Sequence, residues 1–334
     1  MSTVQPIGER PGAPMRSGRG RRSSPLDWRW RDRLALALAW SAGIGLCLLA
    51  GAIAVYLGYR GVQYLRPYLL FSRPAVSSNQ NESGGFLDPL EGTALLVAIG
   101  TLLAAPLAIC SAVWVAEYGR PTWLARVVES SIEVVAGTPD IVIALFGLAI
   151  FQLGLLAPFS FRASGGGVFG KSFIAAGAMM SLIALPPLFA ATREGLQAVP
   201  AHLREASFAL GKTRITTIRR VLLPSVRSNI ATGVTLGVSR IIGDTAIVVL
   251  LLGDALRTES QGSVPGIGLL RGTGSTLTSY VYNNSPAGEG AAPQKAYAAA
   301  FVLLAFVLAL NLVVERIGRR HAQATGLTAA GAIA

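Results

Sequence analysis

A chain of 334 residues that is 52% hydrophobic and only 14% charged has no room for a large water-soluble domain between its apolar runs, and it reads as an all-α polytopic membrane protein. Its formal net charge of +12 would suit a nucleic-acid binder, but the basic residues cluster between apolar runs, with no aromatic interleaving and no basic folded face. Cys47 and Cys110 both fall inside apolar runs and read as small hydrophobes, and His202 and His321 have no ligand-spaced neighbours, so neither a disulfide framework nor a metal site is expected.

Residues 1–32, rich in Pro, Gly and Ser and carrying seven arginines from Arg10 to Arg31, are expected to form a disordered basic cytoplasmic tail. The run Leu34–Leu57 is too long for a signal-peptide core and reads as a retained span; with the external loop after it, it makes up 33–89. Further spans are expected at 90–116, 131–156, 173–191, 228–252 and 296–315, six with the first, within a transmembrane domain of 90–316 that ends in a cytoplasmic tail, 317–334. With the N-terminus inside, the inner segments hold 20 Lys and Arg against 8 in the outer ones, so both termini are expected in the cytoplasm.

The loop Tyr59–Pro89, with the polar run Ser77–Gly85, reads as a flexible external segment. Asp254–Gln294 is long and rich in turn residues; it suits either a surface that touches something outside the membrane or a loose loop with no partner. Gly165, Gly170, Lys171 and Ser172 satisfy G-x-x-x-x-G-K-S, the phosphate-cradling pattern. The mechanism of that pattern needs a buried strand before it, whereas here an apolar span precedes a loop expected outside, so a glycine-rich turn is the better reading. No nucleotide or other cofactor is then expected on this chain, and hydrolysis must come from another subunit.

Between the fourth and fifth spans, Val199–Arg227 forms a basic elbow. Pro200 suits a first helical turn, and Gly211 suits the position past a helix end that needs positive φ. Leu203, Ala206 and Leu210 recur at helical spacing on the apolar side, with Arg204, Lys212, Arg214, Arg219, Arg220 and Arg227 on the polar side. A second short helix from Thr213 to Leu222 is expected to stop before Pro224, because a residue preceding proline is pushed out of the α region. Glu205-Ala206-Ser207, Gly211 six residues after the glutamate, Val221, and Leu223-Pro224 resemble the EAA loop of ABC importer permeases, with Ser207 for the second alanine and Val221 for isoleucine. The resemblance implies a coupling helix that docks on an ATP-hydrolysing subunit. The plainer alternative is a basic loop lying on anionic lipid.

The fifth apolar run holds Arg240 and Asp244, four residues apart and so expected on one helical face. Ionisable residues in a span are costly unless they face a cavity or a partner, which leaves two readings: a self-neutralising structural pair, or an anion path. For the second, a guanidinium offers a planar fork of donors to a tetrahedral oxyanion. An ionised aspartate is acceptor-only and favours an anion that still carries a proton, as hydrogen phosphate does and sulfate does not.

From Gly92 to Arg316 the chain resembles the phosphate-importer permeases, in particular the PstA branch, through Ala112–Gly119, Val128–Leu148, Thr192–Pro200, the elbow and Ser239–Ala246. The resemblance implies a type I ABC importer permease fold with six transmembrane helices in the bacterial plasma membrane. It also implies a second, PstC-like permease, a PstB-like ATPase dimer that binds the ATP, and a periplasmic or lipid-anchored PstS-like phosphate-binding protein. Two departures stand out. The family commonly has glutamate where Asp244 stands, and Arg-Thr-Thr-Glu-Glu where this chain has Ala190-Ala191-Thr192-Arg193-Glu194, which adds Arg193 to the candidate pathway with Arg240 and Asp244. Import of sulfate or molybdate, or a non-conducting regulatory membrane subunit, remain the alternatives.

Overall fold

A computed structural model of the chain describes residues 30–75, 84–119, 121–161, 167–253, 257–260, 267–286 and 292–324. The tail before Trp30, most of the polar run 77–85, Gly165 and the segments 254–256, 261–266 and 287–291 lie outside the described residues, as does the chain after Ala324.

Among the described residues the chain is helical, with isolated bridges (Pro74 with Gly84, Glu259 with Thr273) in place of any strand. The helices, in order, are α1 (Trp30–Tyr64), α2 (Pro67–Phe71), α3 (Leu87–Val113), α4 (Thr122–Gly137), α5 (Asp140–Gln152), α6 (Phe173–Ala198), α7 (Ala201–Ala209), α8 (Arg214–Thr217), α9 (Leu223–Ser225), α10 (Arg227–Gly243), α11 (Ile267–Leu270), α12 (Leu277–Asn284) and α13 (Pro293–Ala324). The chain divides into two units at Val55/Tyr56. In the first, Leu34, Leu38, Leu46, Leu48 and Val55 are exposed, the surface an apolar helix presents to lipid.

The core of the second unit is built on α3, α6 and α10, whose buried Leu96, Met180, Ile183 and Ile241 join Ile247, Leu251 and Leu252 in one cluster. Small residues let these helices approach closely. A Cβ on Gly233 would lie 3.0 Å from the Cα of Leu188, one on Gly237 3.3 Å from Ala184, and one on Gly177 would run into Ile99. Lipid tails supply no hydrophobic force between helices, so this backbone proximity does the holding. The glycine-rich Gly170-Lys171-Ser172 opens α6: Gly170 has φ +71, and the Ser172 hydroxyl accepts from the Ala175 N–H at 3.0 Å while donating to the Phe159 carbonyl at 2.7 Å. That is a helix N-cap.

Three expectations need correction. The span placed at 131–156 is two helices, α4 and α5, bent by 106°. Thr138 precedes Pro139 and takes an extended conformation, φ −79 and ψ 131, which ends α4. The span placed at 228–252 is also broken: α10 ends at Gly243, Asp244 is extended, and the chain resumes as a wide π turn over Val248–Leu252. Four described helices are long and apolar enough to cross a membrane, five if the bent pair counts as one, and α10, at 17 residues, falls short unless its continuation past the break is added. The elbow differs as well. The helix passes through Pro224, with Leu223 at φ −58 and ψ −42, because the turn Ile218–Leu222 widens to π geometry ahead of the ring.

Candidate functional site

Two breaks in two spans meet at one cluster of charge. Arg240 lies in the last turn of α10, where a cation is favoured, and Asp140 in the first turn of α5, where an anion is favoured. Arg240 Nη2 stands 3.3 Å from Asp140 Oδ1, joining residues 100 apart in sequence, with side chains 37% and 34% exposed. Among the described residues this is the one hydrogen bond that the Arg240 guanidinium makes, so most of its donor fork is uncommitted.

Asp244 is not the helical partner that a four-residue spacing suggests. It lies beyond the end of α10, and its Oδ1 accepts from the Ile247 N–H at 2.8 Å, capping the turn that continues the span. The α10 end it leaves behind is satisfied from outside, the Thr278 hydroxyl donating to the Ile242 carbonyl at 2.7 Å. Asp244 remains beside the site, with Arg240 and Asp140 as its charged neighbours, and is 8% exposed. The sequence reading missed Asp140, although it read through Thr138-Pro139-Asp140. A proline followed by an acidic residue is a helix-start signal, and inside an apolar run it marks a break.

Arg193 belongs elsewhere. It pairs with Glu129 of α4 at 2.5 Å, and its Nε is buried with no hydrogen-bond partner among the described residues. Since Gly237 crosses α6 at Ala184, a rise of about 1.5 Å per residue separates Arg193 from the level of Arg240 by roughly 15–20 Å along α6. It stands at a different depth from the Arg240 cluster.

The elbow forms a second site. Gly211 closes α7 with φ +71, as its position past a helix end requires. The inward face of α7 is Leu203, Arg204 and Ser207, and the expected apolar stripe through Ala206 and Leu210 is turned to solvent, with Leu210 77% exposed. Ser207 explains the difference: its hydroxyl is buried against that of Thr217 at 2.8 Å, which pins α7 to α8. Glu205, Ala206, Phe208, Leu210, Gly211 and Ile215 are thereby left as an exposed surface of one acidic and several apolar groups. Beneath it, Leu196, Val199, Ile218, Leu222 and Val226 form a small core, on which Leu203 and Leu223 pack; Val221 and Pro224 are half-buried.

A model of the family described as binding-protein-dependent transport system inner membrane component matches residues 104–325. The phosphate transport system permease protein PstA 1 of Mycobacterium tuberculosis (strain ATCC 25618 / H37Rv) is 31% identical over 235 residues, 70% of this chain and 70% of that protein. The phosphate transport system permease protein PstC of Xylella fastidiosa (strain 9a5c) is 27% identical over 304 residues, 87% of this chain and 88% of that one. Among solved structures, a chain of a bacterial alginate ABC transporter, crystallised with an alginate pentasaccharide-bound periplasmic protein, superposes with a TM-score of 0.61 at 16% identity, over 88% of this chain and 96% of that chain. A chain of the MetNI methionine ABC transporter in inward facing conformations gives 0.50 at 18% identity, over 72% of this chain and 95% of that chain. At these identities the structural matches show the fold, that of type I ABC importer permeases, alone.

Proposed function

The chain belongs to the family of binding-protein-dependent transport system inner membrane components, and from that premise we propose that it is one permease half of an ABC importer for inorganic phosphate. A second permease completes the path, a pair of ATPase subunits docks on the elbow, and a binding protein outside delivers the anion. ATP is bound by those partners. The bias of Lys and Arg, 20 against 8, supports an orientation with both termini and the elbow in the cytoplasm.

The observation that carries the substrate reading is the Arg240 cluster. A guanidinium with most of its fork uncommitted, at the junction of two broken spans, is a donor array for an oxyanion at membrane depth, comparable to the half-helix sites of other transporters. Its chemistry also discriminates. Arg240 is flanked by Asp140 and Asp244, so an anion reaching the guanidinium also meets carboxyl oxygens able to accept a hydrogen bond. Hydrogen phosphate can donate its proton to one of them. Sulfate has no proton to give and is repelled.

During a cycle the binding protein releases phosphate between the two permeases while the ATPases hold ATP. Hydrolysis separates the ATPases, the elbow moves with them, and the α4/α5 and α10 breaks give the spans places to bend. The test is uptake into proteoliposomes holding the complete complex, with unlabelled phosphate, arsenate and sulfate competing in turn. Phosphate and arsenate are expected to compete and sulfate to fail by at least roughly a hundredfold, the discrimination a site built around a substrate proton achieves. Equal competition by sulfate would contradict the phosphate reading.

A further inference from the structure

The elbow is tied to the span bundle in two ways. The chain itself joins it to α6, which ends at Ala198, and to α10, which starts at Arg227. The chain does not run directly from it to α3, the third helix of the core, whose end lies 87 residues earlier, yet a charged pair makes that connection. Arg204, on α7, directs Nε at Glu117 Oε1 over 3.0 Å, and Nη2 reaches the same oxygen at 3.0 Å. Glu117 sits in the π turn Trp114–Tyr118 that prolongs α3. The same guanidinium donates to the carbonyls of Val199 and Leu196, both at 2.8 Å, so it also caps the open C-terminal end of α6. Arg214, on α8, adds a 3.4 Å bond to the Glu117 carbonyl and lies 5.7 Å over the Tyr118 ring. The side chains of Arg204 and Glu117 are only 23% and 13% exposed, which limits screening by solvent and gives the pair a worth that a surface pair lacks.

We propose that Glu117 is a positioning residue of energy coupling: through Arg204 it makes α3 follow the elbow, so that one displacement of α7 drives α3 and α6 together. The proposal rests on the reading of the elbow as the ATPase-docking segment. It assigns a role to a residue of the α3 end, outside the elbow and outside the anion seat. Without the pair, α6 and α10 are still driven through the chain, while α3 follows through its packing on α6, the longer Arg214 bond to the Glu117 carbonyl, the Arg214–Tyr118 contact, and the apolar contacts of Val113, Ala116 and Tyr118 with the small core under the elbow. None of these ties the α3 end to α7 itself, which the Arg204–Glu117 pair does.

The experiment uses the complete complex in proteoliposomes and reads inorganic phosphate moved per ATP hydrolysed, together with the stimulation of hydrolysis by the binding protein. Both readouts depend on the same displacement of α7 reaching the spans, so both should fall together. Glu117→Gln keeps the shape and removes the charge; it is expected to lower both by roughly tenfold while ATP hydrolysis without the binding protein stays within about twofold of wild type. Glu117→Arg combined with Arg204→Glu restores the tie between α7 and α3 but not the α6 cap, and is expected to recover about a third of wild-type coupling. Wild-type coupling in Glu117→Gln, a charge-swapped complex no better than Glu117→Gln, or loss of ATPase binding by Glu117→Gln would overturn the proposal, the last because the pair would then hold the fold and transmit nothing. A wild-type complex that couples hydrolysis to its binding protein but moves no phosphate would sink the substrate reading alone, since the stimulation readout still decides the role of Glu117.

Discussion

Two arginines on the same chain, 36 positions apart in the numbering, face their carboxylates in opposite ways. Arg204 is almost fully committed: a carboxylate and two carbonyls take most of its donors within 2.8–3.0 Å, in a site three-quarters or more buried. Arg240 has, among the described residues, a single 3.3 Å partner, Asp140, and a third of each side chain is open. A guanidinium so committed is a rivet, because releasing it leaves several buried acceptors unpaired. An undersaturated one is a receptor, because an arriving anion gains donors without breaking many bonds. On the proposed function, the elbow and the mid-span cluster use the same side chain for opposite ends, one to transmit movement and one to hold cargo.

That contrast can be broken most severely at the seat. Arg240→Gln should reduce phosphate uptake at least roughly a hundredfold, the scale on which a preorganised charged donor matters to an oxyanion, with the complex still assembling and hydrolysing ATP. Surviving uptake would remove Arg240 from the pathway. Next in size is the stop of the lever. A Cβ on Gly211 would meet nothing within 4 Å, so its φ of +71 is the sole local reason for glycine. Gly211→Val should cut uptake about tenfold, whereas Gly211→Asn, which tolerates the left-handed region, should keep most of it. Equal loss in both would mean that the exposed surface, not the turn, is what matters.

A smaller effect sharpens the seat. Asp140→Asn removes one of the two acceptor carboxylates beside Arg240 while keeping a side chain that can still sit there. Sulfate competition is expected to strengthen by about three- to tenfold, read in the competition assay, while uptake of phosphate changes less. The smallest effect is confined to the elbow. Ser207→Ala removes the buried hydrogen bond between α7 and Thr217, whose hydroxyl keeps its bond to the Thr213 carbonyl, and should cost about 1 kcal/mol, seen as a lowered Tm of the purified complex at unchanged anion preference.

The elbow was far more legible in the sequence than the seat, and the reasons are physical. The elbow is local: Pro200, Glu205, Ser207, Gly211 and Leu223-Pro224 lie within 25 consecutive residues, at spacings set by two short helices and one left-handed turn. Even so, which face points inward was misjudged, since hydropathy favoured Leu210 and the buried Ser207–Thr217 pair reversed it. The seat is assembled from distant segments. Arg240 and Asp244 stood out as charges in an apolar run, yet their relation did not, because a four-residue spacing implies a shared face only where the helix continues, and it ends at Gly243. Asp140 was hidden by the hydropathy that runs across Thr138-Pro139, where apolarity says span and proline chemistry says break. Arg193 looked like a pathway residue by its departure from the family pattern, and the structure places it against Glu129, away from Arg240.

The comparison itself is tested most directly by making the same conservative change at both arginines and measuring the anion-competition profile of each complex. Arg240→Lys replaces a fork by a point charge at the seat and is expected to change the ratio at which phosphate and sulfate compete, with ATP hydrolysis intact. Arg204→Lys is expected to lower uptake per ATP and leave that ratio where wild type has it. Equal shifts of the ratio in both variants, or a shift in Arg204→Lys alone, would contradict the division of labour between the two sites.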